Sequence, residues 1–232
     1  MSTIREKLRK TPLRALYQWQ RRVRRNFLFR RKFEKVVANP DIRLDDLELL
    51  EELSYGWGNV FALSAEFLAD LVEYTAQAKY PILDCGSGLS TIIAGLAAKR
   101  YGKTIWSLED SKLWYNRVKH YLEKYEIDSV KLLYCPLKKY PDFTWYDVPP
   151  DTLPEKFSLV SCDGPTHQIN ADARRYALFP MMKERFAPEC IILFDNEAFK
   201  QEQEGLYYWL DKLRAQYEKG GTEKIYLKIK MP

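Results

Sequence analysis

Short apolar runs alternate with longer amphipathic stretches from residue 81 to the C-terminus. The apolar runs predict five strands, at 81–84, 104–109, 130–135, 157–163 and 190–195. The amphipathic stretches predict helices near 90–101, 111–125, 170–186 and 199–218, with a closing strand at 223–230. Strands that alternate with helices are typical of a parallel sheet. The pattern therefore predicts an α/β fold, a doubly wound and mostly parallel Rossmann-like sheet with helices on both faces.

The first 78 residues have a helical pattern instead. Thr11 and Pro12 are suited to begin a helix that ends near Asn39. Its apolar residues recur at multiples of three and four positions: Leu16, Trp19, Val23, Phe27 and Val37. Shorter helices are expected at 45–53 and, capped by Ser64, at 64–76, with a loop at 55–59 between them. We therefore divide the chain into a helical arm (1–38), a helical cap (39–78) and an α/β domain (79–232).

Basic residues concentrate in the arm. Residues 1–36 hold 13 of the 37 Lys and Arg residues but only two of the 32 acidic residues, so the rest of the chain is mildly acidic. A basic amphipathic helix is typical of segments that bind phosphates on nucleic acid or on a membrane surface. The apolar stripe could instead pack on the body of the protein or on a second subunit of a homo-oligomer. The sequence leaves these alternatives open.

The chain lacks the signals of a membrane-spanning, secreted or zinc-binding protein. No apolar run approaches the ~18–20 residues that span a bilayer, and no apolar signal core follows the N-terminus. The four cysteines, at 85, 135, 162 and 190, form no CxxC pair and only two histidines accompany them. Each cysteine lies in or beside a strand-like run, where a reduced, buried thiol is expected. We expect a cytoplasmic protein, at a membrane surface if the arm binds lipid.

Carboxylates end four of the predicted strands: Asp84, Glu109, Asp163 and Asp195. In a doubly wound sheet these ends line up along the edge where ligands bind. Gly86 and Gly88 follow the first strand and permit a tight turn and close approach of the backbone to a ligand. Glu109 follows Gly88 by 21 residues, the spacing that places a carboxylate on a ribose diol. The edge therefore predicts a nucleotide-type ligand.

The residues of the glycine turn distinguish between two such ligands. A dinucleotide fingerprint has a third glycine and binds a pyrophosphate at the helix N-terminus. Thr91 takes the place of that glycine, and the Asp84 carboxylate would repel a pyrophosphate but suits the ammonium group of a methionine moiety. The turn therefore favours S-adenosylmethionine over NAD.

Residues 79–196 resemble the class I S-adenosylmethionine-dependent methyltransferases, whose first motif has the form D/E-x-G-x-G. The fuller pattern resembles a bacterial branch of that family, through Gly-Ser-Gly-Leu-Ser-Thr at 86–91, Ser-Leu-Glu-Asp at 107–110, Trp-Tyr at 145–146, Asp-Gly-Pro at 163–165, Arg-Tyr at 175–176 and Phe-Asp at 194–195. The resemblance implies that Asp84 lies near the methionine ammonium. It also implies that Gly86 and Gly88 pass beneath the cofactor and that Glu109 binds the ribose hydroxyls.

The resemblance implies further cofactor contacts from other segments. Ser87, Ser90 and Thr91 belong to the glycine turn, and the Ser90 hydroxyl can bond the methionine carboxylate. The remaining candidates are Leu137, which would flank the adenine, Asp163, and Asn59, whose segment can cross the methionine end of the cofactor. Beside Asn59, Trp57 is either part of that segment or a core anchor. In the proline-rich stretch 138–156, which we expect to be a loop, Trp145 and Tyr146 either form a wall for the substrate or pack beneath the loop.

A second, looser resemblance is to the catechol-type O-methyltransferases, which hold Mg²⁺ with an Asp after the fourth strand and an Asp-Asn pair after the fifth. Asp163, Asp195 and Asn196 stand at the matching places. In those enzymes a lysine shortly after the first Asp is the base. This chain has Thr166 there, with His167 beside it, so the resemblance does not carry the same mechanism over.

The function expected from these residues is transfer of a methyl group to an oxygen or nitrogen of a small-molecule, glycan or lipid-linked acceptor. Asp163 and His167 are the candidate catalytic residues, because a histidine titrates near neutral pH and can act as a general base. His120 lies opposite the apolar stripe of its helix, and solvent exposure is expected. Two alternatives stay open: a catalytically silent binding protein whose arm engages nucleic acid or membrane, and an NAD-dependent oxidoreductase.

Overall fold

Nine strands form two sheets in the computed structural model, which describes residues 12–58, 63–165, 171–195 and 200–232. The strands are β1 (Ile82–Cys85), β2 (Ile105–Glu109), β3 (Val130–Tyr134), β4 (Leu137–Lys139), β5 (Thr144–Tyr146), β6 (Phe157–Cys162), β7 (Phe186–Asp195), β8 (Gln216–Gly220) and β9 (Tyr226–Lys230). Seven of them form one sheet in the order β3-β2-β1-β6-β7-β9-β8. The first five strands of that order are parallel, and β9 pairs antiparallel with β7 and β8. The predicted doubly wound, mostly parallel sheet is confirmed.

Seven α-helices surround the sheet in the described part of the chain. They are α1 (Pro12–Ala38), α2 (Leu47–Trp57), α3 (Ala65–Gln77), α4 (Leu89–Tyr101), α5 (Lys112–Lys124), α6 (Leu178–Met182) and α7 (Lys200–Lys212). Ser64 caps α3 as predicted, because its hydroxyl accepts a hydrogen bond from Phe67 N at 3.2 Å. None of these helices is both long enough and apolar enough to cross a membrane.

Two apolar clusters cover the two faces of the sheet. The first joins α1 to α5 to one face and includes Phe29, Phe67 and Ile92. The second joins α6, α7 and the β4–β5 ribbon to the other face and includes Phe157, Phe179 and Leu206. All four cysteines are unpaired thiols buried in the second cluster, which confirms the expectation of buried thiols.

The arm helix α1 packs on the body, but mainly through residues outside the apolar stripe seen in the sequence. Phe29, Phe33 and Val36 are buried, and the Phe29 ring lies 5.3 Å from that of Trp57 and 5.4 Å from that of Tyr121. Of the alternatives left open for the stripe, packing on the body does not hold for four of its residues, which are 46–62% exposed: Leu16, Trp19, Val23 and Phe27. The aromatic residues at 29 and 33 interlock with α2 and α5, and this contact decides the orientation of the helix.

The predicted helix at 170–186 is wrong. Only Leu178–Met182 is α-helical, with 3-10 turns on both sides, and β7 already begins at Phe186. Phe186 pairs with Phe157, and the register then shifts before Ile191 pairs with Leu159. The apolar residues of this segment pack on the second cluster from irregular turns. Their spacing is compatible with one face of a helix, and this led to the wrong prediction.

The predicted helix at 199–218 is too long. It ends at Lys212, and Gln216–Gly220 forms β8 at the edge of the sheet. Arg214 has a φ of 52°, a left-handed conformation that is typical of a helix C-terminus. The residues after it then pair with β9 as a hairpin.

Two loops of the sequence prediction contain regular structure. The α2 helix extends through Gly56 to Trp57, and a β-carbon on Gly56 would come within 2.9 Å of Phe29 Cβ. The glycine therefore allows α1 and α2 to pack closely. In the stretch 138–156, β4 and β5 form an antiparallel ribbon, in which Lys138 pairs with Trp145.

Candidate functional site

The glycine turn between β1 and α4 packs against the loop that follows β6. Gly86 has a φ of 98°, which favours glycine, and a β-carbon there would lie 2.8 Å from Gly164 N. A β-carbon on Gly88, in contrast, would meet nothing within 4 Å. The turn is therefore closed on the Gly164 side and open beside Gly88.

Glu109 ends β2 and is held against the glycine turn. Its Oε2 accepts hydrogen bonds from Ser87 N at 3.0 Å and Ser87 Oγ at 2.6 Å, and its Oε1 accepts one from Ser111 N at 2.7 Å. The residue is 5% exposed, and burial raises the pKa of its carboxyl to about 7 although the hydrogen bonds from Ser87 and Ser111 lower it. These three donors are neutral and leave acceptor sites on both oxygens, so the carboxylate can bond further hydroxyl groups.

Asp84 ends β1 beneath the same turn. Its Oδ2 accepts hydrogen bonds from Thr91 Oγ1 at 2.6 Å and from Ser107 Oγ at 2.7 Å. Thr91 Oγ1 in turn accepts one from Gly88 N at 2.9 Å, so it ties the carboxylate to the turn. Burial raises the pKa of Asp84 to about 6, while the Thr91 and Ser107 hydroxyls lower it. Oδ1 is buried and has no hydrogen-bond partner in the described structure.

Asp163 and Asp195, which end β6 and β7, share a buried arginine. Arg175 Nη1 donates to Asp195 Oδ2 at 3.0 Å and to the Asp195 carbonyl at 3.1 Å, and Nη2 lies 3.4 Å from Asp163 Oδ1. Lys224 Nζ lies 3.5 Å from Asp195 Oδ2. Burial raises the pKa of Asp163 well above its usual range, Arg175 opposes this, and the neighbouring Asp195 raises it further. These two carboxylates therefore form an ion-pair network with side-chain cations.

This network corrects the magnesium hypothesis. The two carboxylates that were expected to hold the metal are bonded to Arg175 instead, and a guanidinium repels a divalent cation. Asn196, the third expected ligand, lies outside the described residues. Within 12–58, 63–165, 171–195 and 200–232, no group of three or more His, Cys, Asp or Glu side chains could hold a metal ion. These residues do not fit Mg²⁺.

Other candidate residues are placed as follows. Ser90 is buried in the first turn of α4, and Leu137 in β4 is half-buried and pairs with Tyr146. Trp145 and Tyr146 are buried in the second cluster, which favours the packing alternative. A β-carbon on Gly164 would collide with the Tyr146 hydroxyl, so this tyrosine supports the loop after β6 from below. Trp57 is 2% exposed and belongs to the core.

Some candidate residues lie outside the described part of the chain. They are Asn59, Thr166, His167 and Asn196. The general base and the segment crossing the methionine end therefore stay predictions. His120 is exposed, as expected.

Arg175 and Ser107 are the functional residues that the sequence reasoning missed. Arg175 was part of a motif but had no role, and its two carboxylate partners are 12 and 20 residues away. The available signal was the pair of strand-end acids itself, because two carboxylates at the ends of neighbouring strands repel each other unless a cation lies beside them. Ser107 lies two residues before Glu109, so strand alternation places its side chain on the same side of the sheet.

No protein-family model and no curated protein sequence matches the chain. Solved structures match its fold. An O-methyltransferase from Bacillus cereus in complex with SAH is 16% identical with a TM-score of 0.52, over 86% of this chain and 96% of that one. The O-methyltransferase TomG from Streptomyces achromogenes, in complex with SAM, is 16% identical with a TM-score of 0.53, over 74% and 81% of the two chains. The precorrin-6y C5,15-methyltransferase from Geobacter metallireducens is 13% identical with a TM-score of 0.53, over 75% and 91%. The chain therefore has the Rossmann-like fold of these methyltransferases.

Proposed function

We propose that this protein is an S-adenosylmethionine-dependent methyltransferase. The observation that carries the proposal is the Glu109 carboxylate, which Ser87 and Ser111 hold beside the glycine turn of a methyltransferase fold. A carboxylate at this place, at the end of the second strand, is suited to the hydroxyls of a ribose.

The residues around the turn fit the cofactor. The open space beside Gly88 allows a ligand to approach the backbone. Glu109 would hold the ribose, and Asp84 would attract the ammonium group from beneath the turn. The cofactor supplies an electrophilic methyl group on a sulfonium ion. The contribution of the chain is to hold the acceptor in line with that group and to exclude water.

The acceptor loses a proton when its oxygen or nitrogen is methylated, so a base is needed nearby. Asp163 is the proposed base among the described residues, because its side chain is 22% exposed whereas that of Asp195 is 5% exposed. His167 follows on the same loop and is the second candidate. We propose acceptors that are small molecules, glycans or lipid-linked compounds.

The test of the cofactor is isothermal titration with S-adenosylhomocysteine and with NAD. We expect S-adenosylhomocysteine to bind and NAD not to bind. Asp84 would repel the pyrophosphate of NAD, and Thr91 takes the place of the third glycine of a dinucleotide fingerprint. Glu109→Ala should weaken the binding of S-adenosylhomocysteine by about 1.5–3 kcal/mol, since it removes a charge-assisted hydrogen bond to the ribose.

The matched control is Asp128→Ala, which removes an exposed acid two residues before β3, at the opposite edge of the sheet. It should leave the affinity unchanged. Equal affinity of the wild type and a folded Glu109→Ala variant would remove the basis of the proposal. Cofactor binding without transfer to any acceptor pool would favour the catalytically silent alternative.

We also propose that α1 holds the protein at an anionic lipid surface. Leu16, Trp19, Val23 and Phe27 form its exposed apolar face. Arg24 and Arg31 are exposed one helical turn before and after Phe27, so positive charge lies next to the apolar face. This combination favours lipid over nucleic acid, which needs the charge but not the apolar face.

Flotation with vesicles of phosphatidylglycerol and phosphatidylcholine tests this contact. The double variant Trp19→Ser/Phe27→Ser should bind at least about tenfold more weakly, because it removes two large apolar side chains from the contact. Tyr101→Ser, a similarly exposed aromatic on α4, should bind normally. The opposite outcome has two parts: the wild type does not bind vesicles, and the double variant still binds duplex RNA. That outcome would assign the arm to nucleic acid instead.

A further inference from the structure

A cavity of ≈ 400 Å³ lies between α1, the end of α2 and α5. Its lining includes Arg22, Arg25, Arg30, Trp57, Trp114 and Arg117. The volume is within the range of pockets that bind small organic molecules, about 300–1,000 Å³. The lining of this pocket shares no residue with the site formed by Asp84, the glycine turn and Glu109, and its arginines come from α1 and α5.

The charge of the pocket has one sign. Four arginines line it, and no Asp or Glu is among its described lining residues. Burial lowers the pKa of Arg117, and the charge of Arg22 lowers it further, so two guanidinium groups lie close enough to repel each other. Like charges held together in this way are stabilised when an anion enters between them.

Aromatic contacts hold one wall of the pocket rigid. The Arg117 guanidinium lies 3.8 Å from the centre of the Trp57 ring and 4.9 Å from that of Trp114, and it donates a hydrogen bond to the Trp57 carbonyl at 2.8 Å. Arg25 lies against Gly58, where a β-carbon would be 3.3 Å from its Cζ. The wall combines fixed positive charge with apolar rings.

The arginines of the pocket also fix the kind of group that can enter it. Trp57 Nε1 and Arg25 Nε have no hydrogen-bond partner in the described structure, but both atoms are enclosed by protein and a ligand in the cavity does not reach them. The guanidinium groups of the lining arginines are the donors that remain, and a guanidinium donates hydrogen bonds but cannot accept them. The group that fits the pocket is therefore an acceptor, and the surrounding charge makes it an anion.

We propose that this pocket binds the phosphate group of a phosphate ester, with Arg22, Arg25 and Arg117 around the phosphate and the organic part against Trp57 and Trp114. A phosphate has the oxygen acceptors that guanidinium groups bind in pairs. The cavity exceeds the size of a bare phosphate, which leaves room for the organic part. Both a soluble phosphate ester and a lipid head group carry this chemistry.

The experiment measures binding of glycerol 3-phosphate by titration calorimetry and by ³¹P line broadening, with glycerol as the uncharged probe. The wild type should bind glycerol 3-phosphate and ignore glycerol. Arg25→Gln should weaken the binding about tenfold or more, because it removes a charged donor. Each variant is checked by thermal unfolding, and Arg22→Gln, an exposed residue, replaces any variant that does not fold.

Arg24→Gln is the matched control, since it removes the same charge one residue from Arg25 without lining the pocket. It should bind glycerol 3-phosphate as the wild type does. An equal loss in Arg24→Gln and Arg25→Gln, or no loss in Arg25→Gln, overturns the proposal. Vesicles that contain phosphatidic acid distinguish the sources. For the vesicles the control is Lys119→Gln, which removes an exposed charge of α5 that lines neither the pocket nor the apolar face of α1. Loss of vesicle binding in Arg25→Gln but not in Lys119→Gln assigns the pocket to a lipid head group, whereas an Arg25 effect confined to glycerol 3-phosphate assigns it to a soluble ester.

Discussion

The carboxylates at the edge of the sheet belong to two different environments. Those of β1 and β2, Asp84 and Glu109, accept hydrogen bonds from hydroxyl and amide groups. Those of β6 and β7, Asp163 and Asp195, are bonded to the buried guanidinium of Arg175. Each of the four residues lies at or beside the carboxyl end of its strand. The hydrogen bonds of the first pair come from neutral groups, whereas the second pair has an arginine as its partner.

The difference shows which carboxylates are available to a ligand. A carboxylate held by neutral donors keeps its negative charge unbalanced and can attract a cation or hydroxyls. Asp163 and Asp195 have a cation beside them inside the protein, although burial raises the pKa of Asp163 as well. The first pair therefore forms the proposed cofactor side. In the second pair the buried Asp195 ties the end of β7 to Arg175, and the more exposed Asp163 is the proposed base.

The largest expected effect comes from Arg175. Arg175→Met keeps the volume of the side chain but leaves two carboxylates buried without their shared cation. It should lower the free energy of unfolding by about 3–5 kcal/mol, measured by denaturant unfolding at pH 7. Adding Asp195→Asn to this variant should recover part of the loss, because it removes one of the uncompensated charges.

Lys224→Met is the control on the same carboxylate. Lys224 lies 3.5 Å from Asp195 Oδ2, but its side chain is 43% exposed, so its removal should cost under about 1 kcal/mol. Equal losses of unfolding free energy in Arg175→Met and Lys224→Met would show that the buried arginine contributes no more to stability than the exposed lysine. A loss below about 1 kcal/mol for Arg175→Met would show that the β6–β7 carboxylates do not depend on their arginine.

The sequence predicted the five parallel strands within a few residues, because buried strands are short apolar runs between turns. It failed at 170–186 and beyond Lys212, where apolar spacing was compatible with a helix but pairing with β6 and β9 decided the structure. Such pairing joins residues distant in sequence, and local periodicity does not report it.

The candidate site was predictable to the same degree. The contact of Glu109 with the glycine turn follows from strand order and spacing, which the sequence contains. The pairing of Asp163 and Asp195 with Arg175 depends on how the segment after residue 170 folds back on the edge. That segment was predicted as a continuous helix, and this prediction did not bring Arg175 to the two carboxylates. A metal ion was therefore considered at the place where the structure has an arginine.

A medium effect is expected from Glu109→Gln on the pH dependence of stability. Burial raises the pKa of Glu109 from 4.5 to about 7, so the folded state favours the protonated carboxyl. The stability that wild type has below pH 4.5 is lost as the pH rises through about 7. Glutamine does not ionise, so the variant should become more stable relative to wild type by about 1–3 kcal/mol between pH 4 and pH 8. The comparison of two pH values removes any constant effect of the amide.

Unfolding of both proteins at each pH measures that change. A difference between them that stays constant from pH 4 to pH 8 would contradict the raised pKa, and with it the view that Glu109 is an uncompensated carboxylate. Asp195→Asn is the comparison from the other pair. It should lower the free energy of unfolding, because Arg175 loses its buried partner.

The smallest expected effect comes from Ser87, whose hydroxyl donates to Glu109 Oε2 at 2.6 Å. Ser87→Ala removes this hydrogen bond but leaves the one from Ser87 N, so the carboxylate stays in place with more freedom. The affinity for S-adenosylhomocysteine should fall by about 0.5–1.5 kcal/mol, measured by titration calorimetry. Because the lost hydrogen bond lowers the pKa of Glu109, the pH below which binding weakens should also move upward.

Ser129→Ala is the matched control, because the Ser129 hydroxyl donates a 2.6 Å hydrogen bond to the Gly95 carbonyl just before β3, at the opposite edge of the sheet. It removes the same chemical group from the same protein but not from the proposed site. A loss of cofactor affinity confined to Ser87→Ala would show that the turn positions Glu109 for the ribose. The same loss in Ser129→Ala would mean that affinity follows the general stability of the domain. In that case the neutral hydrogen bonds around the β1–β2 carboxylates would be structural, like the arginine of the other pair.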